Sequence, residues 1–400
     1  MKVLVLSNKV PYPANDGSSI AMSSIIDALL KNEAEVTLLS INTKKHFKSD
    51  EATAAQLPTR LDFHKVYHNT SITPWGALAN LFSGKAYHVS RFYFSAFAKK
   101  LVQLLQQNSF DIIQIEGLSM AVYIELIRKY SNAKIVLRAH NVEHIIWDRH
   151  LENESNSLRS KYLKIQNSRL AKFEIQSLKS VDAIVAITEE DKQLLLPWIS
   201  KSKPIQSLPC GIDIEAKDTC SKASKQTADI AYLASFDWMP NVQGIEWFMQ
   251  KVWPLVQELR PDTTFHLGGR HMPSSFQKWE KRGVSLFQDV ADMRKFICSA
   301  RIIIVPLLAG SGMRIKVIEN MALGKCQVST TIGAEGVNIE NGKDIILTDS
   351  PKDFARAISN LLHDDELRTF VETQARKTIE TSYSNRQLGK DLMKFYQSLI

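Results

Sequence analysis

No apolar run in this sequence approaches the roughly 18 residues that a membrane-spanning helix needs, which argues against an integral membrane protein. The opening Met1-Lys2-Val3-Leu4-Val5-Leu6 is too short for the apolar core of a signal peptide and soon meets Pro11 and Pro13. A cytoplasmic location is therefore expected, with peripheral attachment at the inner face of a membrane left open. Cysteine is scarce: Cys210, Cys220, Cys298 and Cys326 form no CxxC pair and have no histidines at metal-ligand intervals. That pattern fits a reducing compartment and gives no zinc site. The first apolar run is followed neither by G-x-G-x-x-G nor by a suitably placed ribose-binding acid, which weighs against a dinucleotide oxidoreductase. RNP-like, zinc-finger and helix-turn-helix signatures are missing too, so nucleic acid is not an expected partner. No Asp-x-Asp pair marks a metal-dependent transferase, and neither a metal nor another cofactor is expected.

The 400 residues present exceed what one core usually fills, so two domains are expected. Hydrophobic residues make up 44% and charged residues 23%, enough apolar material for two cores in an ordinary globular protein. The formal net charge of +8 biases the surface toward anionic partners such as nucleotide phosphates, phospholipid headgroups or a pyrophosphate-linked acceptor.

Short apolar strands alternate with amphipathic helices along the first half. Strands are predicted at Lys2–Leu6, Val36–Ile41, Ile112–Ile115, Lys134–Arg138 and Ala183–Ala186, with helices at Ile20–Leu30 and Leu158–Lys179. The stretch Lys201–Pro209 and the polar run Lys217–Thr227 interrupt the alternation. It then restarts with strands at Ile230–Ala234, Thr264–Leu267, Val284–Phe287, Ile302–Val305 and Gln327–Thr330. Helices are predicted at Val242–Leu259, Arg314–Leu323 and Pro351–His363, with a tail of helices at about Asp365–Glu380 and Arg386–Leu399. The pattern predicts an α/β protein of two doubly wound, Rossmann-like domains. The expected divisions are a first domain over 1–205 and a second over 206–380. A C-terminal helix over 381–400 is expected to pack back on the first domain. Ligands of such sheets bind at the carboxyl ends of strands near a topological switch point, so two domains facing a central cleft suit a reaction between two substrates.

The segment Pro306–Lys325 concentrates chemistry. A strand ends at Pro306, and the loop Gly310-Ser311-Gly312 opens a helix whose free N–H groups and dipole attract an anion. Arg314 and Lys316 fall in the first turn, where cations oppose the dipole and make sense beside a bound anion. Glu319 lies further along, placed to accept hydrogen bonds from vicinal ribose hydroxyls. A solvated helix with a Lys316/Glu319 surface pair explains the same pattern without a ligand. The second candidate is Arg138-Ala139-His140-Asn141-Val142-Glu143-His144, directly after a strand. A histidine there faces the ligand edge of the sheet, and its near-neutral pKa suits hydrogen bonding or proton exchange. A turn whose polar side chains cap the following helix is the alternative. Glu116, also at a strand end, is a candidate to meet an acceptor.

These motifs resemble the family-four glycosyltransferases, retaining enzymes of the GT-B fold. Glu319-Asn320-Met321-Ala322-Leu323-Gly324-Lys325 is similar to the second half of their Glu-x7-Glu donor signature, and the whole loop resembles the branch reading GSGxRxKxxEAMA. Ser311 stands where the family often has the first acid. Pro11 to Ser18 resembles the family's first strand–helix loop, in which Gly17 lets donor phosphate or acceptor come near the helix. Leu208-Pro209-Cys210-Gly211-Ile212-Asp213 resembles the interdomain IPNGVD, with Cys210 for Asn. Phe236-Asp237-Trp238-Met239-Pro240-Asn241 resembles the start of the donor domain but lacks the Arg and Lys usual there, leaving Arg314, Lys316 and Arg270 as substitutes. The resemblance, which spans nearly the whole chain, implies His140 near the transferred sugar and Glu319 on the donor ribose. It implies Gly310, Ser311 and Gly312 around the donor, and Asn141 and Glu143 on the acceptor side as a variant reading HNxE.

The implied function is metal-independent sugar transfer, with retention, from a nucleotide-sugar to a saccharide or lipid-linked acceptor in building a surface polysaccharide or glycolipid. Two alternatives stay open on sequence alone: a nucleotide-sugar epimerase or hydrolase of the same fold, and a non-catalytic nucleotide-sugar-binding protein. Aromatics and cations mixed between Trp75 and Gln107 suit either core packing or an anionic membrane surface.

Overall fold

The computed structural model describes residues 1–14, 16–152, 157–214, 220, 227–310 and 312–400. They form two compact units, one of Met1–Gly211 with Asn385–Ile400 and one of Ile212–Ser384.

The first unit is built on seven parallel strands: β1 (Lys2–Ser7), β2 (Glu35–Thr43), β3 (Asp62–His68), β4 (Ile112–Glu116), β5 (Lys134–Ala139), β6 (Ala183–Ala186) and β7 (Ile205–Ser207). Their order is β3-β2-β1-β4-β5-β6-β7. Chain direction across the sheet reverses beside β1, so the switch point lies between β1 and β4. Alternate residues serve opposite faces. Leu4, Leu6, Leu39, Ile113, Ile115 and Leu137 pack with Leu101 and Leu104 on one side. Val3, Val5, Val36, Leu38, Ile112 and Val136 meet Ile25, Ile26 and Leu29 on the other. This double burial explains the mostly apolar β1, β2 and β4. The half-exposed edge strand β3 (DFHKVYH) lacks such a run, so periodicity does not reveal it.

On the second face the helix Gly17–Lys31 is covered by the C-terminal helix Asn385–Gln397, through Leu388, Leu392 and Tyr396. Asp16 caps Gly17–Lys31 by accepting from the Ser19 amide, which satisfies one of the helix's orphan donors.

The second unit has six parallel strands: β8 (Ala228–Ser235), β9 (Phe265–Arg270), β10 (Val284–Gln288), β11 (Ala300–Val305), β12 (Cys326–Ser329) and β13 (Ile346–Leu347). Their order, β10-β9-β8-β11-β12-β13, puts this switch point between β8 and β11. Its core is aromatic, with Phe248, Trp253, Phe265 and Phe354 fully buried. The helix expected as one piece over Val242–Leu259 is instead Met239–Trp247, a π-helical turn Phe248–Val252, and Trp253–Leu259. Pro254 lacks the N–H that a continuous ladder needs, and the wider turn accommodates it.

The expectation of four reduced cysteines is corrected as well. Cys220 and Cys298, 78 positions apart in sequence, are joined by a disulfide, with Cα atoms 5.3 Å apart. Only the tertiary fold brings them together, so sequence spacing carries no sign of the pair. Cys210 and Cys326 are free and buried.

Close docking of the C-terminal helix depends on Gly389. A Cβ there would meet the Asn32 amide and lie 2.6 Å from the Ala28 carbonyl oxygen. Alanine in place of an internal helical glycine ordinarily gains about 1 kcal/mol, whereas overpacking costs about 1–3 kcal/mol. Gly389→Ala is therefore expected to lower the urea midpoint of the protein. A raised midpoint would show that the two helices separate without loss.

Candidate functional site

At the ligand edge of the first sheet, register alone aligns a row of polar side chains. Ser7 pairs with Ser40 on one side and Glu116 on the other, and Glu116 with Arg138. Glu116 is fully buried and Arg138 is 1% exposed. One Glu116 oxygen accepts from Arg138 Nη1 at 3.2 Å and meets His140 Nε2 at 2.6 Å. The other accepts from the Gln114 amide. Burial alone would raise the Glu116 pKa, but Arg138 and His140 outweigh it and hold the carboxyl below its ordinary range. Burial likewise opposes the charge of Arg138, and Glu116 more than restores it. Arg138 also donates to the Ala21 carbonyl at 3.0 Å, tying β5 to the helix Gly17–Lys31. His140, one residue past β5, keeps part of its ring exposed. Glu116 has no surface of its own, so it bears on a ligand only through His140.

Asn141 and Glu143 follow at the start of the helix Glu143–Glu152. Glu174 receives the backbone N–H groups of Glu143 and His144 at 3.0 and 3.1 Å, and His144 Nδ1 at 2.7 Å. That carboxylate, from a helix about 30 residues further along, caps the start of this one. The hydrogen bond to Glu174 raises the His144 pKa. Burial, reinforced by the neighbouring charge of Glu174, pushes Glu143 up to about 7. On the far side of the switch point, Lys9 is buried and its Nζ is 2.5 Å from Asp16, one residue before the exposed Gly17.

The second unit presents its loop at the corresponding switch point. Ser311 lies outside the described residues. Gly310 has φ +130°, and a Cβ there would lie 2.7 Å from Arg314 Nη2 and 3.1 Å from the Trp238 ring. Gly312 is also left-handed, at φ +79°. Arg314, expected in the first turn of a helix over Arg314–Leu323, is instead the N-cap of the helix Ile315–Ala322, one residue before its first turn. It is buried, donates to the Ile332 carbonyl at 3.3 Å, pairs with Glu335 at 3.5 Å and lies 5.7 Å over the Trp238 ring. Lys316 donates to Asn241 Oδ1 at 3.0 Å and sits 5.1 Å over the Tyr232 ring. Burial, then Arg314, pushes its pKa down to about 7 against the opposing effect of Glu319. Glu319 is half-buried one turn further along the helix. Arg270 ends β9, exposed, in register with Ser235 of β8.

The fold thus gathers Glu116, His140, Asn141 and Glu143 at one edge, and Gly310, Gly312, Arg314, Lys316 and Glu319 at another. Gln114 and Glu174 in the first unit, and Tyr232, Trp238 and Asn241 in the second, support these side chains. The parts of Gln114, Glu174 and Tyr232 depend on partners remote in sequence and are announced by no local motif, whereas Trp238 and Asn241 lie in the stretch Phe236 to Asn241 singled out above. The second edge combines a helix N-terminus with two cations and is suited to an anion. Among the described residues, no group of three or more His, Cys, Asp or Glu side chains has the arrangement of a metal site.

The family described as "Glycosyltransferase Family 4" matches residues 16–216, just over half of the chain, and "Glycosyl transferases group 1" matches residues 227–364. A 44.6 kDa protein in the cps region of Klebsiella pneumoniae is 22% identical over 407 residues, covering 98% of this chain and 99% of its own. Among solved structures, Anabaena Alr3699/HepE in complex with UDP-glucose is similar over the full length of both chains, with TM-score 0.67 and 14% identity. The sucrose-phosphate synthase tll1590 of Thermosynechococcus elongatus has TM-score 0.69 and 15% identity over 100% of this chain and 99% of its own. These likenesses establish the two Rossmann-like domains as those of GT-B glycosyltransferases.

The depressed Lys316 pKa sets a direction for stability. Between pH 10.5 and about 7 the unfolded lysine binds a proton that the folded one does not, so stability falls as pH falls through this window and levels off below it. Lys316→Met removes that cost. Without ligand, the variant is expected to melt above wild type at pH 6–7, with the advantage shrinking toward pH 10. Calorimetry showing the same difference at every pH would contradict this.

Proposed function

The chain belongs to glycosyltransferase family 4, and from that premise we propose that it moves a sugar from a nucleotide-sugar donor to a saccharide or lipid-linked acceptor. The reaction retains anomeric configuration and proceeds without a divalent metal. One observation carries the donor half: a glycine loop, the buried Arg314, the half-buried Lys316 and Glu319 stand together at the switch-point edge of the second unit. The loop N–H groups, Arg314 and Lys316 supply positive charge for the diphosphate as it leaves, the task that falls to such groups when no metal ion performs it. Ser311 and Arg270 are assigned to the same donor site. Glu319 accepts from the ribose hydroxyls. Gly17 admits a phosphate or the acceptor near its helix N-terminus.

His140 hydrogen-bonds to the transferred sugar, and Asn141 and Glu143 face the acceptor. The departing phosphate takes the acceptor hydroxyl's proton as the oxygen attacks from the same face, so no enzymic nucleophile is required. UDP and glucose in the HepE structures make uridine nucleotides the first donors to test, and the cps-region relative supports a role in surface polysaccharide synthesis.

An anionic membrane surface is the proposed setting for a lipid-linked acceptor. Trp75 is 81% exposed, Leu78 50% and Phe82 88%, on one stripe of the helix Pro74–Leu81 and its end. Lys85 and Arg91 follow closely in sequence. Such a stripe suits the interfacial layer of a bilayer. Among the described residues, no helix is long and apolar enough to cross one.

The donor site is tested by melting the protein with UDP, GDP and ADP, beside Glu319→Ala. A nucleotide at 100 times its dissociation constant stabilises the native state by about 2.7 kcal/mol. One nucleotide is expected to raise the midpoint in wild type and not in the variant. An equal response in both would remove Glu319 from the site.

A further inference from the structure

The row of contacts at the first sheet's edge does not stop at Glu116. Gln114 lies two residues earlier on β4, on the same face, and is completely buried. Its amide nitrogen donates to the Glu116 oxygen not facing His140, and its amide oxygen accepts from the hydroxyl of Tyr396. Tyr396 is fully buried and belongs to the C-terminal helix, 282 residues further along the chain. One continuous line therefore runs Tyr396–Gln114–Glu116–His140, with Arg138 entering from the side at Glu116.

Each link has a direction. A neutral tyrosine hydroxyl, buried and far from ionising, donates its single proton to the Gln114 oxygen. That fixes which way the amide points, because its two ends differ only in hydrogen-bonding sense. The NH2 end must then face Glu116, where it supports a charged carboxylate. With the amide reversed, two acceptor oxygens would confront one another in a dry site. The carboxylate, also held by Arg138, can only accept, so His140 must present an N–H from Nε2. In the neutral ring this leaves the lone pair on Nδ1.

We propose that Tyr396, Gln114 and Glu116 are positioning residues that hold His140 as the Nε2–H tautomer, so that Nδ1 accepts a hydrogen bond from a hydroxyl of the transferred sugar. The catalytic consequence rests on the transferase reading above; the tautomer does not. Holding one histidine tautomer can matter greatly: in serine proteases, exchanging the orienting carboxylate for its amide lowers kcat by about 10⁴. The C-terminal helix thereby acts on chemistry at the opposite end of the sequence, beyond covering a hydrophobic face.

The test uses ¹⁵N-histidine-labelled full-length protein at pH 8, with the His140 signals identified by their loss in His140→Ala. Wild type is expected to show a protonated Nε2 and an unprotonated Nδ1. Glu116→Gln, whose amide can donate to the ring, is expected to populate the Nδ1–H form and to lower kcat by about 10²–10⁴. Tyr396→Phe removes one hydroxyl and is the milder variant should Glu116→Gln not fold. It is expected to give a mixture of tautomers and a loss of about 3- to 10-fold in kcat, the worth of one hydrogen bond. Nucleotide binding should be unchanged in both. A wild-type ring with Nδ1–H or with both nitrogens protonated would overturn the proposal. So would a tautomer unmoved in the folded variants. If wild type transfers no sugar yet shows the expected spectra, the transferase reading fails and the relay stands.

Discussion

Taking an ionised carboxylate out of water costs several kcal/mol even after a protein relaxes around it, and Glu116 is taken out completely. It stays charged because Arg138, His140 and Gln114 all bring hydrogen-bond donors to it. This constraint organises the ligand edge of the first unit. It requires β4 and β5 to be neighbours in one register and brings Arg138 against the helix Gly17–Lys31. It also fixes the ring of His140 at the strand end. Removing any one partner leaves a buried charge less than fully met, which costs more than the lost hydrogen bond itself.

The second unit handles charge in the opposite way. Arg314 and Lys316 are drawn into an apolar, aromatic surrounding, with Trp238 and Tyr232 beneath them. Burial dominates, and both are held below their ordinary pKa despite Glu335 and Glu319. A protein that carries cations at such a cost gains when an anion arrives, because the ligand adds negative charge beside them. The first edge is thus electrostatically closed and geometrically exact in its hydrogen bonding, which suits recognition of neutral hydroxyls. The second gathers two cations whose charge burial disfavours, which suits a diphosphate.

Much of the fold was legible because parallel strands buried on both faces leave short, mostly apolar runs. β1, β4, β5 and β11 were found this way, and so were the helices around Glu319 and in the C-terminal tail. The half-exposed β3 escaped, as did the two-residue β13, which is too short to show a period. The expected single helix over Val242–Leu259 broke at a proline whose effect periodicity underweights. Site residues at strand ends could be named from their position after an apolar run, as with Glu116 and His140. Their mutual contact could not, since it depends on register between strands 22 residues apart in sequence. The longest link, Tyr396 to Gln114, is readable only once the C-terminal helix is in place.

The most direct test is transfer itself: purified protein, a radiolabelled panel of uridine-diphosphate sugars, and saccharide or lipid-linked acceptors, followed by release of the nucleoside diphosphate. Release that requires an acceptor, yields a product of unchanged anomeric configuration, and is lost in both Glu319→Ala and His140→Ala is the predicted result. Release at the same rate with and without acceptor, or undiminished in either variant, would contradict it.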